Sequence, residues 1–131
     1  MWIELASGLA LNNIIGALWY SPVLFQRTFL LTTPRMRDAE MKAWMILATF
    51  ILGALEVFGL FHALFTVIGL KGGEWREGMW WGYLIWQFFI LPSFAVHYIF
   101  DERPVKHLAL VSGHHLATLV LEGALMAYLY Q

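Results

Sequence analysis

The sequence predicts an all-α integral membrane four-helix bundle, a single transmembrane domain over residues 1–131, and three observations carry the prediction. The chain is 60% hydrophobic and only 13% charged, whereas soluble domains run at about 45–50% and about 25%. A membrane-spanning helix needs about 20 apolar residues, so four of them with short connections account for a chain of 131. Finally, four apolar stretches occur in order, parted by proline-, glycine- or charge-bearing turns.

The first span covers about 2–20, with Glu4, Ser7, Asn12 and Asn13 as its polar intrusions. No basic region precedes it and no small-residue cleavage site follows, so it reads as a retained span and not a removable signal. Ser21-Pro22 ends it, because a residue before proline is pushed out of the helical region. Trp19, Tyr20 and Pro22 together read as an interface anchor and a stop, with Ser21 capping the next segment. Residues 22–31 are too few to cross a bilayer. They suit a helix lying along the interface, with Phe25 and Phe29 in lipid and Arg27 toward the headgroups.

Thr33-Pro34 has the form of an N-cap followed by proline in the first turn, and Asp38 and Lys42 stand at i, i+4. The second span, about 43–69, is interrupted only by Thr49, Glu56, His62 and Thr66. A Gly-rich turn follows, around which Trp75, Trp80 and Trp81 cluster as tryptophan does at a headgroup boundary. The third span, about 79–100, holds Pro92, where a kink is expected. The fourth, about 107–130, follows a short polar turn. Such short connections favour antiparallel neighbours.

Orientation follows from the basic residues. Arg27, Arg35, Arg37, Lys42, Arg103 and Lys106 fall on one side, against Lys71 and Arg76 on the other. The richer side is cytoplasmic by the positive-inside rule, which places both termini outside.

Function classes are then excluded in turn. Net charge is −1 and cysteine is absent. There is accordingly no field to recruit nucleic acid and no disulfide or thiolate site. Ser21, Ser93 and Ser112 lack a G-x-S-x-G frame, Gly72-Gly73 is a turn and not a phosphate loop, and both aspartates lie in connections. No enzymatic template is met, which leans against catalysis and leaves the question open.

The informative residues are polar ones at mid-depth. An ionised side chain at the bilayer centre costs about 2.5–3.5 kcal/mol on translocon scales, and a protonated carboxyl avoids most of that. Glu56 and Glu122 stand there, with Asn12 at comparable depth and His62 a little outside. At about 100° per residue His115 and Glu122 share a face two turns apart, whereas Glu56 and His62 are roughly 120° out of phase. Gly8-Asn12-Gly16 and Gly53-Glu56-Gly59 form small-polar stripes of the kind that let helices approach and hydrogen-bond across the contact. Asn12, Glu56 and Glu122 are thus expected to meet inside the bundle. A proton, cation or small polar ligand held there, with His62 and His115 near, stands against a static packing network. A metal between His115 and Glu122 is disfavoured by their separation of about 10.5 Å along the axis. Haem or a pigment is raised by His62, His97 and His114, but no motif supports it and the cofactor is left unknown.

At Gly16-Ala-Leu-Trp-Tyr-Ser-Pro-Val-Leu-Phe25 the chain resembles a bacterial family of small four-span membrane proteins, known as domain of unknown function seventeen-sixty-one. Phe100, Arg103, Gly113 and His115 are similar to that family's acidic/basic turn and Gly-x-His-Leu run. The resemblance departs at Gln26, Phe29 and Glu122, where a glycine, a tryptophan and an apolar residue are usual. It implies the four-span fold and carries no chemistry. Two roles remain: a binding or transport protein working as a homo-oligomer, or an accessory subunit of a larger membrane complex packing against lipid, haem or pigment.

Overall fold

The computed structural model describes residues 1–33 and 42–130. The expected cap at Thr33-Pro34, the Asp38–Lys42 pair, and Arg35 and Arg37 of the orientation argument involve residues outside that range. Helix α1 runs Trp2–Trp19 and the short α2 Gln26–Thr32. Helix α3 runs Ala43–His62 and continues through a π turn at Ala63–Val67. Helix α4 is Trp75–Ile85, a π turn at Trp86–Ile90 and Leu91–Phe100, and α5 is Val105–Leu129. The described residues contain no strand, so the all-α class holds.

Among the described residues three helices are long and apolar enough to cross a membrane: Ala43–Val67, Trp75–Phe100 and Val105–Leu129, of 25, 26 and 25 residues. At about 1.5 Å per residue each reaches well beyond the about 30 Å of a hydrocarbon core. Helix α1 is not among them: it has 18 residues, and Glu4, Asn12 and Asn13 dilute its apolar character. The outer face of α3 is apolar and open, with Trp44, Leu47, Leu52 and Phe58 all more than half exposed. Such a patch in water would be an association hazard; against lipid it costs nothing.

Helix α5 packs against every other helix. Its tightest partner is α4, and the cause is glycine. A side chain at Gly78 would run into the backbone carbonyl of Gly123, and one at Gly82 into that of Leu119. Two helices can come this close only where one or both lack a Cβ. The Gly78-Met-Trp-Trp-Gly82 spacing that permits it is a small-xxx-small motif in α4. Trp86 adds a strut, its indole N–H donating to Ser112 O at 2.7 Å. Gly78 against Gly123, Gly82 against Leu119 and Trp86 against Ser112 give the pair an antiparallel run. Helix α1 is likewise antiparallel to α5, with Gly8 against Met126, Gly16 against His114, and the Trp19 indole N–H donating to Leu110 O at 3.1 Å.

The apolar core lies where the C-terminal halves of α3 and α5 converge: Val57, Leu60, Phe61, Leu64, Leu119 and Met126, closed by Leu70 and Ala127. Gly69, at φ +74°, terminates α3, with Leu70 N–H returning to Leu64 O at 2.9 Å. Gly73, at φ +83°, donates its N–H to Ala127 O at 2.8 Å and ties the turn to α5.

Several local expectations change. Phe25 and Phe29 do not both face lipid. Phe25 lies against Trp19 (ring centroids 4.7 Å apart), and Phe29 against Tyr20 at 5.0 Å and His107 at 5.7 Å. His107 is buried and is the reason: its ring is stacked by Phe29 and Tyr98, and its Nδ1 meets Thr32 Oγ1 at 2.9 Å. Ser21 does not cap α2; its hydroxyl turns back to Leu18 O at 2.6 Å and satisfies the end of α1. The disturbance expected at Pro92 takes the form of the π turn just before it. A widened turn there relieves the clash of the proline ring with the carbonyl four residues back.

Gly78→Val and Gly82→Val are each expected to lower stability by at least about 1–3 kcal/mol, the cost of overpacking, read as a drop in Tm in mild detergent. Gly59→Ala, where a Cβ would meet nothing within 4 Å, should leave Tm level or raise it.

Candidate functional site

Glu122 is fully buried on α5, one turn above the core residue Met126. Both of its carboxyl oxygens, and the side-chain nitrogen of Asn12, lack a hydrogen-bond partner among the described residues. The Asn12 amide is buried in the same interior, on α1. Asn12 gets there because α1 rests on a glycine of α3: a Cβ at Gly53 would sit 2.9 Å from Asn12 Oδ1. One turn earlier, Gly8 serves in the same way against Val57 and Met126.

On α3, Glu56 Oε1 lies 3.2 Å from His115 Nδ1 of α5. With the carboxyl ionised, Nδ1 must carry the proton, which fixes the tautomer of a neutral ring. The pair is partly exposed, at 23% for the Glu56 side chain and 25% for that of His115. His114, next along α5, points about 100° away, toward α1. Its Nε2 is buried without a partner, and a Cβ at Gly16 would stand 3.6 Å from it. The two imidazole rings are edge to face, 5.3 Å between centroids.

Two clefts flank this row of polar groups. One, of about 490 Å³, lies between α3 and α4 on the floor of α5; Glu56 and His115 are the only ionisable side chains in its lining. The other, of about 330 Å³, lies between α1 and α3 and is more polar, lined by Asn12, Asn13, Thr49 and His114 among others. Consecutive histidines thus look into different clefts, with Glu122 and Asn12 between the helices.

The structure brings Asn12, Glu56, His115 and Glu122 into one region and leaves His62 out. His62 is exposed on α3, six residues and about 120° of helical phase away from Glu56. His115 shares a helix face with Glu122, as its spacing requires, but its hydrogen-bond partner is Glu56. Of the four stripe glycines, Gly8 and Gly53 make close contacts, Gly16 makes an ordinary one, and Gly59 opens into the larger cleft. Trp75 and Trp80 are exposed at the start of α4, Trp81 turns onto the core, and Pro22 is exposed in its turn. Trp19 and Tyr20 face the bundle through Leu110 and His114.

Sequence reasoning overlooked His107, Gly78, Gly82 and Gly123. The glycine pair had a readable signal in its four-residue spacing, whereas His107 had none. Among the described residues no three His, Cys, Asp or Glu side chains group closely enough to hold a metal ion. His62 and His97, two of the three histidines eligible for an axial ligand, are exposed.

An all-α chain with three membrane-length apolar helices and polar groups turned inward has the architecture of a membrane protein. Residues 3–127 match the family described as Protein of unknown function (DUF1761), so the chain belongs to that family. Comparisons with curated proteins and with solved structures return no match.

A buried carboxyl with neither oxygen paired lowers stability, so replacing it by an apolar side chain of similar size should help. Glu122→Met is expected to raise stability by about 1–3 kcal/mol, measured as an upward shift of the thermal or denaturant midpoint. A drop of that size would mean the carboxyl is firmly hydrogen-bonded in the folded protein.

Proposed function

We propose that this chain is a four-span protein of a bacterial inner membrane that binds and passes a proton or small cation at a mid-bilayer site. Asn12, Glu56, His115 and Glu122 form that site, and both termini face outward. The observation that carries the reading is Glu122: wholly buried, with no hydrogen-bond partner on either oxygen among the described residues, where the side-chain nitrogen of Asn12 also has none. A network kept only for packing would satisfy its members, since an unmet buried polar group costs about 1–3 kcal/mol. Groups left unmet in a membrane interior are the expected form of a site that takes up and releases something charged.

Helix α1 makes the fourth crossing in this reading. Its length of 18 residues gives about 27 Å, close to a hydrocarbon thickness, and its buried Glu4 and inward Asn12 keep polar atoms from lipid. Glu4 pairs with the amino group of Met1. The route past the site runs from the polar cleft at His114, along Asn12 and Glu122, to the Glu56–His115 pair and the lateral cleft. Four helices enclose little volume, so a homo-oligomer in which clefts of neighbouring copies join is the working form.

Reconstituted in vesicles holding a pH-sensitive dye, the wild-type protein is expected to dissipate an imposed pH gradient well above empty vesicles. Glu56→Gln and Glu122→Gln, which keep shape and remove the titrating group, should each slow it at least tenfold at unchanged Tm. Equal rates in all three proteins would leave the cluster a packing network, as an accessory subunit would carry.

A further inference from the structure

We infer that the cleft between α3 and α4 is a binding site for a lipophilic organic cation, a compact apolar or aromatic body bearing one positive charge that pairs with Glu56. The inference rests on the mid-bilayer site proposed above, with which the cleft shares Glu56 and His115, and adds a second occupant that enters from the lipid side.

The cleft is a consequence of two local departures from the α-helix. Its walls include Ala63, where the π turn of α3 begins, and Phe89 and Ile90, within the π turn of α4. A π turn inserts a residue, re-aims the side chains around it and is frequent at functional sites; here residues of two line one space. Gly59 leaves the wall of α3 bare, with nothing within 4 Å of where its Cβ would stand. The resulting volume of about 490 Å³ is within the range of small-molecule sites, about 300–1,000 Å³.

Access is from the side. Leu55 and Phe89, on the two walls, are 61% and 69% exposed, so in a membrane the mouth opens to hydrocarbon. A sugar, a nucleotide or a strongly hydrated ion would have to shed its water to arrive by that path. An occupant must already be dissolved in the bilayer.

Charge then selects among lipid-soluble molecules. Residues 43–70, 77–100 and 107–130 contain no Lys or Arg, so among the described residues these spans bring no permanent cation to Glu56 or Glu122. Glu56 is the one acidic side chain that reaches the cleft, and part of it stays open beyond the bond to His115. A neutral hydrophobe would leave that carboxylate unanswered, and an anion would be repelled by it. A delocalised cation answers it without a large desolvation cost, and Phe89 in the same lining offers an aromatic ring of the kind such cations favour.

The test uses the purified full-length protein in mild detergent and tritiated tetraphenylphosphonium, a cation of the stated kind. Saturable binding is expected, weakened at least tenfold by Glu56→Gln and by Gly59→Phe, which fills the cleft without touching a carboxyl. Tetraphenylborate, of the same shape and opposite charge, should not displace it. Absence of saturable binding, equal displacement by tetraphenylborate, or binding unaffected by either substitution at unchanged Tm overturns the inference. If the cation fails to bind while the pH-gradient assay still depends on Glu56 and Glu122, only the ligand class is wrong. If both fail, the site itself is wrong.

Discussion

The close approach of α4 to α5 is the constraint on which the remaining architecture depends. With Gly78 against Gly123 and Gly82 against the carbonyl of Leu119, the two backbones meet with no side chain between them. In a bilayer this is where association energy is found, because lipid is as apolar as leucine and only fit and hydrogen bonds favour one helix over its solvent. Once α4 lies flush on α5, α3 meets it only through side chains reaching into the core: Trp81, Ile85, Trp86 and Ile90 on one side, Leu60 and Leu64 on the other. The space beneath that contact is the larger cleft. Tight packing on one side of α5 and a gap on the other are therefore one fact.

The polar groups are arranged around the same axis. Helix α5 carries His114, His115 and Glu122, and each neighbour brings one complement: Asn12 from α1 and Glu56 from α3. Glu56 and His115 satisfy each other in part, whereas Glu122, Asn12 Nδ2 and His114 Nε2 do not find partners. Low dielectric strengthens any interaction made in such a place and raises the cost of one not made. A chain that folds around these unmet polar atoms gives up stability there, and the loss is concentrated where chemistry is available. The same region holds both π turns at its edge, so backbone irregularity and unmet polarity coincide.

Much of this is legible in the chain itself. Four apolar runs, the stop at Ser21-Pro22, and Gly73 in a glycine-rich turn follow from length, hydropathy and backbone freedom, which are properties of a segment by itself. The approach of α1 to α3 at Gly53 and Asn12 was also readable, because small-polar stripes mark faces that seek neighbours. Three things were not. Phase places His115 and Glu122 on one face of α5 but says nothing of what stands opposite, and the partner of His115 turned out to be Glu56. Phe25 and Phe29 look lipid-facing as an i, i+4 pair until His107, far along the chain, provides an aromatic stack. Gly59 belongs to a packing stripe by spacing, yet it faces a gap.

Sequence alone determined that the chain is helical, apolar enough for a membrane and marked by a few ionisable residues at depth, because those depend on local composition and period. Tertiary structure decided which faces touch, which glycines are crowded and which polar atoms are left without partners. Those depend on the relative rotation of helices. A single helix carries its own phase but no information about the phase of its neighbour.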